Sequence, residues 1–381
     1  MVQGKDKEIN LTITGYAKHK LWLQIGFDAD VDLSIEPNSP SLLLNPTPTK
    51  KLEEKLTIHN ISLILKSDIR GDKQLRDIRV EIRSRLGFWL LRSKQEIKRK
   101  IKVYPNIFQD NQQLAASLLL KSKFGLHSQR VVGQGKEFEQ LREYLPDDNY
   151  SNIAWKAAAR KGKPVTKIFQ IERTQSIYIA IDHSRSSNFT YGEKSNLDLV
   201  LEAILLMQLC CEREGDILGL ITFADKVSNF CPAGKGRTHF STLRNMIYDL
   251  TPNLVTPDFE NLFIFLRQKI KRRSLILLFT NLDDPGLASN LYNDIHIIKR
   301  MHILTICTFN RYENELLFTD KNISESFEIY ERLAAQLCNN DQERLLFKLK
   351  KLNVDLLRFR PKRFAVGVIE HYLNVKRRQI L

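Results

Sequence analysis

The chain has 381 residues, 43% of them hydrophobic and 27% charged; this is globular composition, too long for one ordinary core and unsuited to extended disorder. Its formal net charge of +15 favours acidic partners or anionic surfaces. The basic runs at 98–100, 271–273 and 376–378 come with no RNA-binding signature, zinc-finger spacing or aromatic ladder, so nucleic acid is not the expected partner.

In chain order, the first hundred residues read as short strands: Ile9 to Ile13, His19 to Phe27, Val31 to Ile35, Lys55 to Leu65, Ile78 to Ile82 and Lys98 to Tyr104. They are rich in Leu, Ile, Val and Thr, and Gly, Pro, Asn and Asp clusters separate them, which predicts a small all-β sandwich over 1–106. Residues 107–172 form a connecting segment with a helix expected at Gln113 to Lys121 and a dense run of aromatic, arginine and acidic residues after it. From residue 173 to 381 apolar strands alternate with amphipathic helices. The strands are Ile177 to Ile181, Ile217 to Phe223, Ser274 to Phe279, Ile303 to Phe309 and Val354 to Phe359. The helices are Asn196 to Arg213, Thr238 to Leu250, Asp258 to Ile270, Leu287 to Arg300, Ser324 to Lys350 and Phe364 to Arg378. This alternation predicts an α/β domain built on a doubly wound, mostly parallel sheet.

Ligands of such sheets sit beyond the carboxyl ends of the strands. Directly after the first apolar strand comes Asp182-His183-Ser184-Arg185-Ser186, one carboxylate and two hydroxyls on one tight loop, all hard oxygen donors suited to magnesium. The same residues also suit a helix N-terminus. His183 reads as a surface residue. Another strand ends in Phe279-Thr280-Asn281-Leu282-Asp283-Asp284. The sequence holds no G-x-S-x-G elbow, P-loop, H-E-x-x-H or dinucleotide fingerprint, and Gly234-Lys235-Gly236-Arg237 reads as the turn before a helix. The five cysteines, Cys210, Cys211, Cys231, Cys307 and Cys338, are odd in number and lack CxxC spacing. They read as free thiols in a reducing, cytoplasmic compartment. No apolar stretch reaches the roughly 20 residues that span a bilayer, and the N-terminus lacks the apolar core of a signal peptide.

The run from Glu137 to Tyr144, then Trp155 to Arg160, Glu172 and the Asp182 loop resembles the bacterial family DUF58. The likeness continues through Gly215 to Leu220, Phe223, Arg272 to Asp284 and Tyr372-Leu373, with Leu86-Gly87-Phe88-Trp89 resembling a turn of that family's N-terminal sandwich. The resemblance implies a von Willebrand factor A-like domain with a metal-ion-dependent adhesion site at Asp182, Ser184 and Ser186. Thr256 and Asn281 stand near the positions that complete such a site, but Asn281 replaces an acid and Thr256 falls one residue out of register. Magnesium is therefore expected to bind weakly or not at all. The family also implies a non-enzymatic adaptor acting with a MoxR-type AAA+ ATPase and its clients, and members often carry an inner-membrane anchor that this sequence lacks.

The family's Pro-Gly-Asp-Asp and Ile-Asp-Trp become Pro146-Asp147-Asp148-Asn149 and Ile153-Ala154-Trp155. Glu139, Arg142, Glu143, Asp148 and Trp155 are the candidate partner-binding residues. The competing reading is a local salt-bridge network docked through Trp155 and Tyr144. The alternatives in function are a divalent-metal-dependent hydrolase at the same strand ends and a basic membrane-surface or nucleic-acid binder.

Overall fold

The computed structural model describes residues 1–15, 21–44, 57–84, 86, 88–106, 132–133, 137–146, 149–170, 174–192, 194–310 and 326–378. The helix expected at Gln113 to Lys121 lies outside them, as do Asp148 and Glu172. The chain divides into two compact units, Met1–Gln109 with Ser241–Thr251, and Asp110–Phe240 with Pro252–Leu381.

Among the described residues the first unit contains seven strands: β1 Lys7–Gly15, β2 Leu21–Ala29, β3 Leu33–Glu36, β4 Ser41–Leu44, β5 Thr57–Ser67, β6 Gly71–Arg83 and β7 Leu90–Val103. They form two antiparallel sheets, ordered β1-β5-β3 and β4-β2-β6-β7. Alternation decides which side chains enter the core: Leu23 and Ile25 of β2 are buried while Trp22 and Gln24 are exposed. Leu23, Ile25 and Ile78 of one sheet pack with Leu11, Ile13 and Ile61 of the other. A second cluster joins Leu33, Ile35, Leu63 and Leu65 to Leu75 and Ile101. The β6–β7 hairpin is much longer than its apolar pattern predicts. Residues 90–100 are exposed throughout, so no face of that stretch leaves a period-two hydrophobic signal. Within this unit Arg70 Nη1 donates to the carbonyls of Tyr248 at 3.3 Å and Leu250 at 2.6 Å.

In the second unit β8 Val132–Gly133, β9 Glu137–Glu143 and β10 Val165–Gln170 form an antiparallel ribbon, ordered β8-β10-β9, with helix α1 at Trp155–Lys161. The central sheet is built from β11 Ser176–Asp182, β14 Ile217–Phe223, β15 Val227–Gly234, β16 Leu275–Phe279, β17 Ile303–Phe309 and β18 Asp355–Phe359; β12 Thr190–Tyr191 and β13 Lys194–Ser195 pair separately. Its order is β15-β14-β11-β16-β17-β18, parallel except for the edge strand β15. The connections between its strands run through α2 Asn196–Arg213, α3 Arg237–Ile247 (from Ser241 on part of the first unit), α4 Phe259–Lys269, α5 Pro285–Asp294 and α6 Ser326–Lys351, and α7 Phe364–Arg377 follows the last strand. The strand order reverses at β11, which puts the end of that strand at the switch point where α/β sheets receive ligands.

Local chemistry sets these elements. Helix α2 begins with a capping box, Ser195 Oγ accepting from Asp198 N at 3.0 Å and the Asp198 carboxylate accepting from Ser195 N. Its Leu201, Ile204, Leu205 and Met207 are fully buried. Gly219 in β14 is required by close approach, because a Cβ there would stand 2.4 Å from Cε1 of Tyr178.

The carboxylate of Asp216, just before β14, accepts from Gln175 N at 2.9 Å, from Lys376 Nζ at 2.8 Å and from the Tyr372 hydroxyl. Asp216 is 1% exposed. It therefore pins the last helix to the start of a central strand, and Gly215-Asp216 and Tyr372-Leu373, distant in sequence, meet there. Burial pushes the Tyr372 phenol well above its ordinary range, so it acts as a neutral donor.

The cysteines are all free, and Cys210, Cys211, Cys231 and Cys307 are buried. Burial raises the Cys210 thiol to about 12, which leaves it an apolar filler and not a nucleophile.

Candidate functional site

From Ile177 to Ile181 strand β11 is an apolar run, and it ends at Asp182, a carboxylate that burial leaves 1% exposed. Such a group needs donors. The Asp182 Oδ1 atom accepts from Ser184 N at 2.8 Å. Its Oδ2 accepts from Ser186 Oγ and from Thr280 Oγ1, both at 2.6 Å. The Asp182 carbonyl takes the Ser187 hydroxyl. Ser184 and Ser186 hydroxyls lie 3.0 Å apart. Because Ser186 has one hydroxyl proton and gives it to Asp182, Ser184 is the donor in that contact.

Thr280, at the end of β16, thus joins the three residues of the Asp182 loop. The strand pairing explains it: Ile181 lies opposite Phe279 in the parallel ladder, so the next residue of each strand emerges at the same level. Thr256 is exposed on the segment whose Val255 carbonyl accepts from Arg185 N at 3.0 Å. Asn281 Nδ2 donates to Asp283 Oδ2 at 2.9 Å, and Gln342 Nε2 donates to Asp283 Oδ1 at 2.6 Å. Asp284 caps α5 through Gly286 N at 2.8 Å and faces Arg185 at 3.7 Å.

Tight divalent sites of this type balance the ion with several charged oxygens. Here one carboxylate stands at the strand end with both oxygens already holding protein donors. The neighbouring strand presents neutral Asn281, and Asp283 and Asp284 serve other partners. One carboxylate with neutral Asn281 beside it is a donor set short of the charge that a tight magnesium site needs.

Two further residues depart from the sequence reading. His183 is 3% exposed, not a surface residue, because it sits at the strand end with Nε2 3.0 Å from Ser228 Oγ of the edge strand. Trp155 is 69% exposed and does not act as a docking anchor. It is the first residue of α1, and the buried Ile153 and Ala154 before it, each 6% exposed, hold the segment. The Tyr144 ring lies 5.8 Å from that of Tyr150, tilted by 38°. Glu143 pairs with Lys163 at 3.5 Å with both side chains exposed, a contact worth about 0–1 kcal/mol. Arg142 lies opposite Thr166 in the ribbon. Glu139 belongs to β9, and Asp148 falls outside the described residues. Trp155 instead borders an open groove of about 440 Å³ with Leu141, Lys156, Arg160 and Lys167. The glycine turn at 234–236 leads into α3 as read from sequence, with Gly236 at φ +92°.

Over the Asp182 loop lies a second open groove, of about 370 Å³, lined by Arg185, Ser186, Asn188, Phe189, Asn281 and Asp283, with Asp284 and Leu287 at its side. It presents amide, guanidinium, carboxylate and aromatic groups together at the strand ends.

The model of the family described as "Protein of unknown function DUF58" matches residues 140–331. The uncharacterized protein Rv1480 of Mycobacterium tuberculosis and the uncharacterized protein Mb1516 of Mycobacterium bovis are each 24% identical over 163 residues, 42% of this chain. The chain spans 51% of the length of these relatives. Among solved structures, the VWA domain of SpRpn10 is 14% identical, with a TM-score of 0.31, covering 52% of this chain and 95% of its own. A conserved hypothetical protein, BatB, from Bacteroides thetaiotaomicron is 12% identical with a TM-score of 0.32, covering 54% and 99%.

Proposed function

The chain belongs to the DUF58 family, and from that premise we propose that it is a non-enzymatic protein-interaction module whose contact edge is the groove above the Asp182 loop. Its partner in this reading is a MoxR-type AAA+ ATPase or a client of that ATPase. The observation that carries the reading is the inward use of Asp182: a buried carboxylate with three donors orders the loop and exposes no reactive group. What the loop offers outward is a mixed polar and aromatic groove at the switch point of the sheet, the position where such sheets bind ligands. The adhesion-site residues remain as scaffold, and the module needs no metal to bind.

Arg185 is 54% exposed on its side chain and its one described ion pair is the long contact to Asp284, so its replacement alters the edge and leaves the fold intact. In titrations of a purified MoxR-type ATPase, Arg185→Glu is expected to weaken binding by about tenfold, the size of a reversed charge at an interface rim, and chelator is expected to change nothing. Equal affinity of wild type and Arg185→Glu for an ATPase that does bind would remove the groove from the interface.

A further inference from the structure

Exposed apolar side chains gather at one end of the four-stranded sheet of the first unit. Leu86, Phe88 and Trp89, in the turn between β6 and β7, are 77, 81 and 79% exposed. The turn is held in place: Ser84 N donates to the Trp89 carbonyl at 2.9 Å and Trp89 N donates to Ser84 Oγ at 3.1 Å. The cross-strand register extends the patch. Leu43, Trp22, Arg83 and Leu90 oppose one another across β4, β2, β6 and β7. Since Leu23 and Ile25 point into the core, this row faces outward. Single exposed hydrophobics need no explanation, but a contiguous set on the end of a sheet does.

Two features say what covers it. The turn runs beyond the last β6–β7 pair, Arg83–Leu90, at the end of the hairpin. Behind it β7 carries Arg92, Lys94, Lys98, Arg99, Lys100 and Lys102 against one acid of its own, Glu96, and residues 90–100 are exposed; Arg92, Lys94 and Lys98 pair with Glu81, Asp77 and Glu96, and Arg99, Lys100 and Lys102 carry the excess positive charge further along the strand. Exposed tryptophan and phenylalanine with leucines beside them, on a hairpin whose second strand is strongly basic, suit an anionic bilayer surface: the aromatics at the headgroup–acyl boundary and the strand along the charged headgroups.

We propose that the β6–β7 hairpin is a docking site for an anionic lipid surface, with Phe88, Trp89 and the adjoining leucines entering the headgroup–acyl boundary and the basic strand lying against the headgroups. The attachment is peripheral and reversible, since it combines one small apolar tip with electrostatic attraction. It needs no membrane-spanning helix; among the described residues no helix is long and apolar enough to be one.

Flotation of the full chain with vesicles tests this. The wild type is expected to float with phosphatidylcholine–phosphatidylserine vesicles in a three-to-one ratio, to bind pure phosphatidylcholine more weakly, and to release as salt rises. Phe88→Ser with Trp89→Ser should reduce binding by about tenfold or more while the unfolding midpoint stays unchanged, because both side chains are exposed. Arg99→Glu with Lys100→Glu should abolish the preference for phosphatidylserine. Trp89 emission should shift to the blue with lipid, in a chain whose Trp22 and Trp155 are replaced by Phe. Three results would overturn the proposal: wild type that floats with neither vesicle, a tip variant that binds as well as wild type, or a tip that mediates pairing of two copies of this chain with no lipid binding.

Discussion

Asp216→Ala is expected to lower the free energy of unfolding by about 3–5 kcal/mol, the range for removing one member of a buried ion pair. The substitution leaves Lys376 Nζ, the Tyr372 hydroxyl and Gln175 N without the acceptor they share. Lys376 keeps only the Glu214 carbonyl at 2.7 Å and its carboxylate at 3.5 Å. Because α7 is fastened to the sheet through this carboxylate, the loss should appear as a lower denaturant midpoint and as faster amide exchange in Phe364–Arg377. Adding Lys376→Met to Asp216→Asn should restore part of the stability, since a neutral pair leaves no uncompensated charge. A loss below about 1 kcal/mol for Asp216→Ala would mean that the cluster behaves as a solvated surface bridge.

Asp182→Ala should cost about 2–4 kcal/mol, from two hydroxyls and a backbone amide that lose a charged acceptor inside the fold. The effect should concentrate in residues 183–189, where exchange and proteolysis would rise ahead of global unfolding. Asp182→Asn should cost less, because its amide oxygen still accepts and the Ser186 and Thr280 hydroxyls can turn to meet it. Unfolding of Asp182→Ala at the wild-type midpoint, with the loop unchanged, would show that the carboxylate does not organise this edge.

Much of the α/β unit is legible in the sequence. The continuous apolar runs at Ile217–Phe223 and Ile303–Phe309 and the helix Asn196–Arg213 coincide with their observed bounds, because strands buried on both faces and a helix buried on most sides leave dense hydrophobic runs. The edge strand Val227–Gly234 escapes the same reading. Its burial is mixed and its Val, Phe and Cys are spaced among polar residues, as one exposed edge allows.

The first loop of the site is also legible, since a DxSxS sequence follows directly on an apolar strand. Its completion is not, for a topological reason. Thr280 reaches Asp182 because β16 lies beside β11, and neighbour order in a sheet is not written in the local pattern. The Phe279-Thr280 strand end was the available signal, since a hydroxyl there must emerge level with the first loop if the strands are neighbours. Trp155 misleads differently. Large aromatics usually anchor segments, but at the first position of a short helix the ring points out and the smaller Ile153 and Ala154 provide the contact.

In the proposed function the strand-end loop is an internally satisfied binding edge that works without a cation. Calorimetric titration of magnesium and manganese into the full chain tests it most directly. No saturable binding is expected below about millimolar concentration, because the loop offers one carboxylate with both oxygens engaged. Stoichiometric binding in the micromolar range, abolished by Asp182→Ala in a chain shown to remain folded, would contradict it.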